Sequence, residues 1–119
     1  MQLISYLLIL HLIGDFLFQT NIMLKDKWWK HSEMFKHHMI YTLTLVTGLT
    51  LYPVVNFNFL NIIDYTILIT MFHILSDSLS SWEIQRARID QNFNKVILIQ
   101  ALDQTLHLIF LLYFIHLLT

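Results

Sequence analysis

Residues 60–79 read LNIIDYTILITMFHILSDSL, and this stretch decides the fold. Read as a helix rising 1.5 Å per residue, it spans about 30 Å, the thickness of a bilayer's hydrocarbon core. No Gly or Pro interrupts it. Its inner polar groups, His73 and Asp77, stand four residues apart and share one helix face. Asp64 sits near the start, where a carboxylate suits a helix N-terminus. An Asp at the centre of a membrane helix costs roughly 2.5–3.5 kcal/mol. A run this apolar that still carries His and Asp on one face reads as a membrane helix whose polar pair points into protein.

Three further apolar runs flank it, so the expected spans are about 3–19, 35–52, 60–79 and 96–118. Each meets the roughly 17–25 residues that a tilted or upright span needs. The composition agrees: 56 % of the 119 residues are hydrophobic, 13 % are charged, and mean hydropathy is +0.60. A soluble domain carries about 25 % charge. The absence of cysteine excludes a disulfide scaffold and thiolate metal ligands. Seven basic residues against eight acidic ones offer no basic face for nucleic acid. The expected fold is all-α: one four-helix transmembrane bundle over residues 1–119. The first span lacks a basic leader and a small-residue cleavage site, so it reads as a retained helix.

The basic residues set the orientation. Lys25, Lys27, Lys30 and Lys36 lie between the first two spans, and Arg86, Arg88 and Lys95 between the last two. Those loops share one side of a four-span bundle, and the positive-inside rule makes them cytoplasmic with both termini outside. Trp28, Trp29 and Trp82 fall on the same side, as interfacial anchors do. Residues 23–33 read as a short amphipathic segment on the cytoplasmic surface. The expected location is a membrane bordering the cytoplasm, crossed several times.

Polar residues recur where lipid should forbid them. His11 and Asp15, His73 and Asp77, and Asp103 and His107 are three His/Asp pairs at single-turn spacing. His38 adds an imidazole, and of the adjacent pair His37 is expected to face the surface. Three unpaired intramembrane Asp residues would cost on the order of 8–10 kcal/mol. With Lys and Arg absent from the span interiors, protonated His, protons or a bound metal must compensate. Four imidazoles and three carboxylates suit zinc or another divalent first-row ion. Seven donors fit two ions, or one ion and a general base, better than one tetrahedral ion. By rise and direction of the spans, most of them fall in the cytoplasmic half, with His107 the deepest and His38 the shallowest. HLIGDFLF at 11–18 and HILSDSLS at 73–80 also match in register, an echo of a parallel internal repeat. The Thr42, Thr44, Thr47 and Thr50 series is expected to bond its own backbone.

HLIGDFLFQT at 11–20, Lys27 with its basic neighbourhood, HMIYTLTL at 38–45, HILSD at 73–77 and DQTLH at 103–107 resemble the domain of unknown function 3307 family. These are small bacterial and phage integral-membrane proteins, and the resemblance covers nearly the whole chain. More remotely, His/Asp pairs on membrane helices are similar to inner-membrane metal-dependent hydrolases and, through them, to all-helical zinc phospholipases. That resemblance implies that His11, Asp15, His38, His73, Asp77, Asp103 and His107 are metal ligands. The soluble enzymes also use an N-terminal Trp ligand, which this chain lacks.

The expected function is a metal-dependent, zinc-type hydrolase acting on a phosphoester or lipid-linked substrate from the cytoplasmic side. A divalent metal lowers the pKa of bound water to about 7 and polarises the scissile group. Asp103 is expected to be the general base, and Gln19 and Gln104 to orient ligands from behind. Lys25, Lys27, Lys30, Arg86 and Arg88 would draw anionic headgroups to the entrance. Two other readings use the same residues: a divalent-ion or proton transporter, and a structural protein whose metal staples its helices. Membrane lipid, a second copy or a membrane partner are the partners these readings imply.

Overall fold

The computed structural model describes residues 2–17, 31–52 and 57–118, which hold helices and no strand. Helix α1, Leu3–Leu12, continues into a π-helical turn at Ile13–Leu17; α2 is His31–Thr50, α3 is Phe59–Ile89, and α4 is Phe93–Tyr113, closed by a 3-10 turn at Phe114–Leu117. By length and composition, α3 and the α4 segment Phe93–Leu117 can cross a membrane, and Leu3–Phe16 is a shorter apolar helix. Of the expected interfacial segment 23–33, residues 23–30 lie outside the described residues, and the rest begins α2.

Two boundaries differ from those read in the sequence. Helix α2 starts four residues before the apolar run, which carries His37 well inside the helix. Helix α3 continues ten residues past Leu79, to 31 residues or about 46 Å. Beyond Leu79 the charged Glu83, Arg86 and Arg88 lower the average hydropathy. The buried face nevertheless continues as Ser80, Ser81, Ile84 and Ala87 at helical spacing. Ile84 and Ala87 pack on Val96 of α4 to form a small second core. The hairpin joining them closes at Gln91, whose φ of 56° is left-handed. The Asn92 amide donates to the Ala87 carbonyl at 2.8 Å and the Gln91 amide to Arg88 at 3.1 Å, a Schellman closure. The Asn92 side chain then caps α4 by accepting from the Lys95 amide.

The four helices divide their interior into two layers. The apolar layer holds Leu7 and Leu10 of α1, Leu45 and Leu49 of α2, Ile62, Tyr65 and Ile69 of α3, and Leu111 of α4. The next layer along the axis is polar, built from His, Asp and Ser. The outside is apolar: Leu43, Ile67, Met71, Leu75, Leu98 and Leu102 are all more than half exposed. Such an arrangement inverts the soluble pattern of polar surface and apolar core.

Small residues and hydroxyls let the helices approach. At Gly48 an added Cβ would stand 3.0 Å from Leu10 Cγ, and the Gly48 carbonyl accepts from the Tyr6 hydroxyl at 2.6 Å. At Gly14 a Cβ would meet the Tyr41 ring at 3.0 Å. The Tyr65 hydroxyl donates to the Leu111 carbonyl at 2.9 Å, tying α3 to α4, and Thr42 and Thr70 share a hydroxyl bond at 2.9 Å between α2 and α3. Thr42, Thr44 and Thr50 each donate to the carbonyl four residues back, the backbone bonding their spacing suggested.

Gly48→Ala should therefore overpack the α1–α2 contact and lower stability by about 1–3 kcal/mol. Adding Leu10→Ala should recover part of that loss, giving a double variant more stable than additivity requires. Thermal melting in detergent reads both, and strict additivity would contradict the contact.

Candidate metal centre

Each helix supplies its part of the polar layer by single-turn spacing. The π-helical turn carries Asp15 and follows His11; α2 brings His37 and His38; α3 brings His73, Ser76, Asp77 and Ser80; α4 brings Asp103, Gln104 and His107. His11, Asp15, His37, His38, His73, Asp77, Asp103 and His107 are all at most 5 % exposed. The π-helical turn is a local departure of a kind that recurs at functional sites. Gly14 stands within it, so α1 can lie against the Tyr41 ring as Asp15 turns inward.

The ligand atoms fall into overlapping groups: His37, His38, His73 and Asp77; Asp77, Asp103 and His107; and His11, Asp15 and His107. In the first, Asp77 Oδ2 lies 2.9 Å from His38 Nε2, 3.2 Å from His73 Nε2 and 3.5 Å from His37 Nε2. His37 Nε2 and His73 Nε2 are 3.2 Å apart. Asp15 Oδ1 closes on the same nitrogens, 3.0 Å from His37 and 3.5 Å from His73. In the second, His107 Nε2 is 3.5 Å from Asp77 Oδ1 and 3.6 Å from Asp103 Oδ1. The His73 and His107 rings stack at 4.2 Å.

His37 corrects the sequence reading. It is 1 % exposed and lies among the donors, as buried as His38 or more so. With α2 already helical at His31, position 37 is nearly two turns inside, and neighbouring residues on a helix differ by about 100°. The two rings therefore turn toward the α1 and α3 sides of one crevice. A signal was available: His37, Tyr41, Leu45 and Leu49 form an i, i+4 series, and all are buried. Ser76 and Ser80 were missed as well, although they continue the His73–Asp77 face. Ser76 donates to Asp103 Oδ1 at 2.6 Å, and the Ser80 hydroxyl lies 2.6 Å from the same oxygen and 2.8 Å from the Ser76 carbonyl. These contacts hold the Asp103 carboxylate in place from α3.

His11 is occupied differently from the other imidazoles. Gln104 Nε2 donates to Asp15 Oδ2 at 2.8 Å, which fixes the amide because an ionised carboxylate only accepts. The amide oxygen then faces His11 Nε2 at 3.2 Å, so that nitrogen carries the proton. His11 Nδ1 is left to accept from the Tyr41 hydroxyl at 3.0 Å. A chain of three hydrogen bonds thus runs from Tyr41 through His11 and Gln104 to Asp15. It uses both ring nitrogens of His11.

Elsewhere in the layer, polar atoms lack such partners. Asp15 Oδ1, Asp77 Oδ1, His73 Nδ1 and both His107 nitrogens are buried without a hydrogen bond. Each costs about 1–3 kcal/mol when left so. Orphaned oxygen and nitrogen lone pairs converging from several helices are what a divalent cation satisfies, so the donor set fits a metal. The crevice between Tyr41, Ile69, Phe72, Phe110 and the stacked imidazoles is too narrow to admit a water molecule.

The remaining expected residues lie apart. Gln19, Lys25, Lys27 and Lys30 are outside the described residues. Arg86 is nine residues beyond Asp77 on α3, about 13 Å along the axis. Its guanidinium lies 4.9 Å over the Trp82 ring and 3.8 Å from Glu83, which also meets Lys95 at 3.7 Å. Arg88 is exposed on the same turn.

Residues 3–119 match the family described as "Protein of unknown function (DUF3307)". The chain belongs to that family. No curated protein and no solved structure matches it, so the more distant resemblance to metal-dependent hydrolases finds no counterpart there. Membership in the DUF3307 family extends over every donor of the polar layer.

Tyr41→Phe should remove the hydroxyl from His11 Nδ1 and cost about 1–3 kcal/mol, because a buried acceptor is left unpaired. Thr66→Val, which replaces a buried hydroxyl that already lacks a partner, should be neutral or stabilising. Melting temperatures of the two variants in one detergent test the contrast.

Proposed function

We propose that this DUF3307 protein is a four-span inner-membrane protein, with both termini outside, whose buried His/Asp layer is a divalent-metal centre that hydrolyses a phosphoester at the cytoplasmic leaflet. The observation that carries the proposal is the convergence of five imidazoles and three carboxylates from four helices, with orphaned donor atoms facing one another. The apolar exterior supports a lipid environment for all four helices. The basic residues of the α3–α4 hairpin, with Trp82 exposed beside them, support its cytoplasmic placement.

A divalent ion here, zinc first among the choices, would polarise a phosphoryl oxygen and acidify water toward neutral pH. The other roles fall to the chain. In the hydrolysis, a water oxygen bonds to phosphorus, the ester P–O bond breaks, and the water's proton ends on the leaving oxygen. Asp103 was the expected carrier of that proton, and serine hydroxyls from α3 lie against its Oδ1. Asp15, whose Oδ1 lies 3.0 Å from His37 Nε2, takes the role of base in this reading. Gln104 and His11 hold it from behind. Anionic headgroups are the substrate class that a basic cytoplasmic face attracts.

One observation favours a second reading. The donors are enclosed, and the crevice beside them excludes water. A metal so held can staple four short helices together without turnover. Ion or proton transport gains less support, because the apolar layer of Leu7, Leu45, Ile69 and Leu111 closes one end of the polar layer.

Protein purified in detergent should hydrolyse a generic aryl phosphodiester or a phospholipid when loaded with zinc or manganese. Asp15→Asn should lower that rate at least 100-fold, in line with loss of a general base, while metal content stays. Bound metal without turnover by wild type would leave the staple reading and overturn the hydrolase. Because the chain has no cysteine, single Cys variants at Asp90 and Thr119 test the topology. A membrane-impermeant thiol reagent should label Asp90→Cys only in inside-out vesicles and Thr119→Cys only in intact spheroplasts.

A further inference from the structure

We infer that the centre holds two inequivalent divalent ions that share the Asp77 carboxylate, one in a closed four-donor set on α2 and α3, the other in an open three-donor set reaching to α4. The inference rests on the metal reading above and deepens it, since it says which of the two positions is available to a substrate.

The closed set is His37, His38, His73 and Asp77. Ligands at about 2.0–2.1 Å around a tetrahedral zinc lie roughly 3.3 Å from one another. Four of the six edges of such a tetrahedron, at 2.9, 3.2, 3.2 and 3.5 Å, lie near that length. Four protein donors and no vacancy describe a structural zinc site. Asp15 Oδ1 stands beside this set, 3.0 Å from His37 Nε2.

The open set is Asp77, Asp103 and His107. Here the donors facing His107 Nε2 are Asp77 Oδ1 at 3.5 Å and Asp103 Oδ1 at 3.6 Å. Among the described residues three protein donors face this position, the ligand number of the catalytic type of site. Asp77 joins the two because its oxygens diverge: Oδ2 faces the three imidazoles of the first set and Oδ1 faces His107. Oδ1 is buried and has no hydrogen bond, and neither ring nitrogen of His107 has one. Ser76 and Ser80 hold Asp103 from α3, which orients the second set without adding a ligand.

The third group, His11, Asp15 and His107, is not a further site. Both nitrogens of His11 are engaged, Nδ1 with Tyr41 and Nε2 with Gln104, so it has no lone pair to give. His11 is a positioning residue for Asp15, not a ligand.

The test is metal stoichiometry on purified full-length protein, stripped with chelator and titrated with cobalt(II) and with zinc(II), read by visible absorption and elemental analysis. Wild type should bind two ions per chain in two steps, the first with the intense bands of tetrahedral cobalt and the second more readily removed by dialysis. His107→Gln should bind one ion and keep the tetrahedral spectrum, and Asp77→Asn should weaken both steps. His11→Gln should still bind two. If His107→Gln does not fold, the Ser76→Ala/Ser80→Ala pair keeps every ligand. It should weaken the second ion 10–100-fold and leave the first unchanged. A single ion in wild type, two ions of equal affinity, or two ions retained by His107→Gln would overturn the assignment. No ion bound by wild type under any loading would instead overturn the metal reading itself.

Discussion

Three carboxylates inside a bundle whose outside is apolar set the terms for everything else in this protein. Asp15, Asp77 and Asp103 are each at most 3 % exposed. A buried charge is tolerated only when paired or hydrogen-bonded. The partners that the described residues bring to them are imidazoles, serine hydroxyls and an amide, contributed by every helix. Helix order, spacing and close approach can all be read as answers to that demand. Where hydrogen bonds suffice, as around Asp103 and along the Tyr41–His11–Gln104 chain, the groups are satisfied. Elsewhere Asp15 Oδ1, Asp77 Oδ1, His73 Nδ1 and both His107 nitrogens are buried without a hydrogen bond.

The backbone meets the same demand. The π-helical turn at Ile13–Leu17 departs from α geometry where Asp15 must enter the crevice, and Gly14 removes the Cβ that would strike Tyr41. Gly48 does the same one layer away, against Leu10. These two are the chain's only glycines, and both stand between α1 and α2. The apolar layer then seals one end of the polar one, with Tyr65 reaching across to the Leu111 carbonyl.

Function turns on access rather than on donors. The His/Asp set has the chemistry of a hydrolytic metal centre, yet its groups are enclosed and the adjoining crevice excludes water. The proposed pair of positions, a closed four-donor set beside a three-donor one, would reconcile these facts: the first would staple the bundle and the second would hold the reactive ion.

The sequence alone determined which residues would form most of the buried polar layer. His11, Asp15, His73, Asp77, Asp103 and His107 declare themselves because a polar group in an apolar run is costly, and single-turn spacing places each pair on one face. It also determined an all-helical fold, since period and length were unambiguous. Tertiary structure decided what spacing cannot express. The depth of His37 depends on where α2 begins, which hydropathy misjudged because Lys36 and two adjacent histidines mask the helix start. The length of α3 depends on Ile84 and Ala87 finding Val96 across a hairpin. The engagement of both ring nitrogens of His11 depends on Tyr41 and Gln104, one on α2 and the other on α4. Periodicity reports one helix at a time; which lone pair is spent on a hydrogen bond and which is left over is settled only when four helices meet.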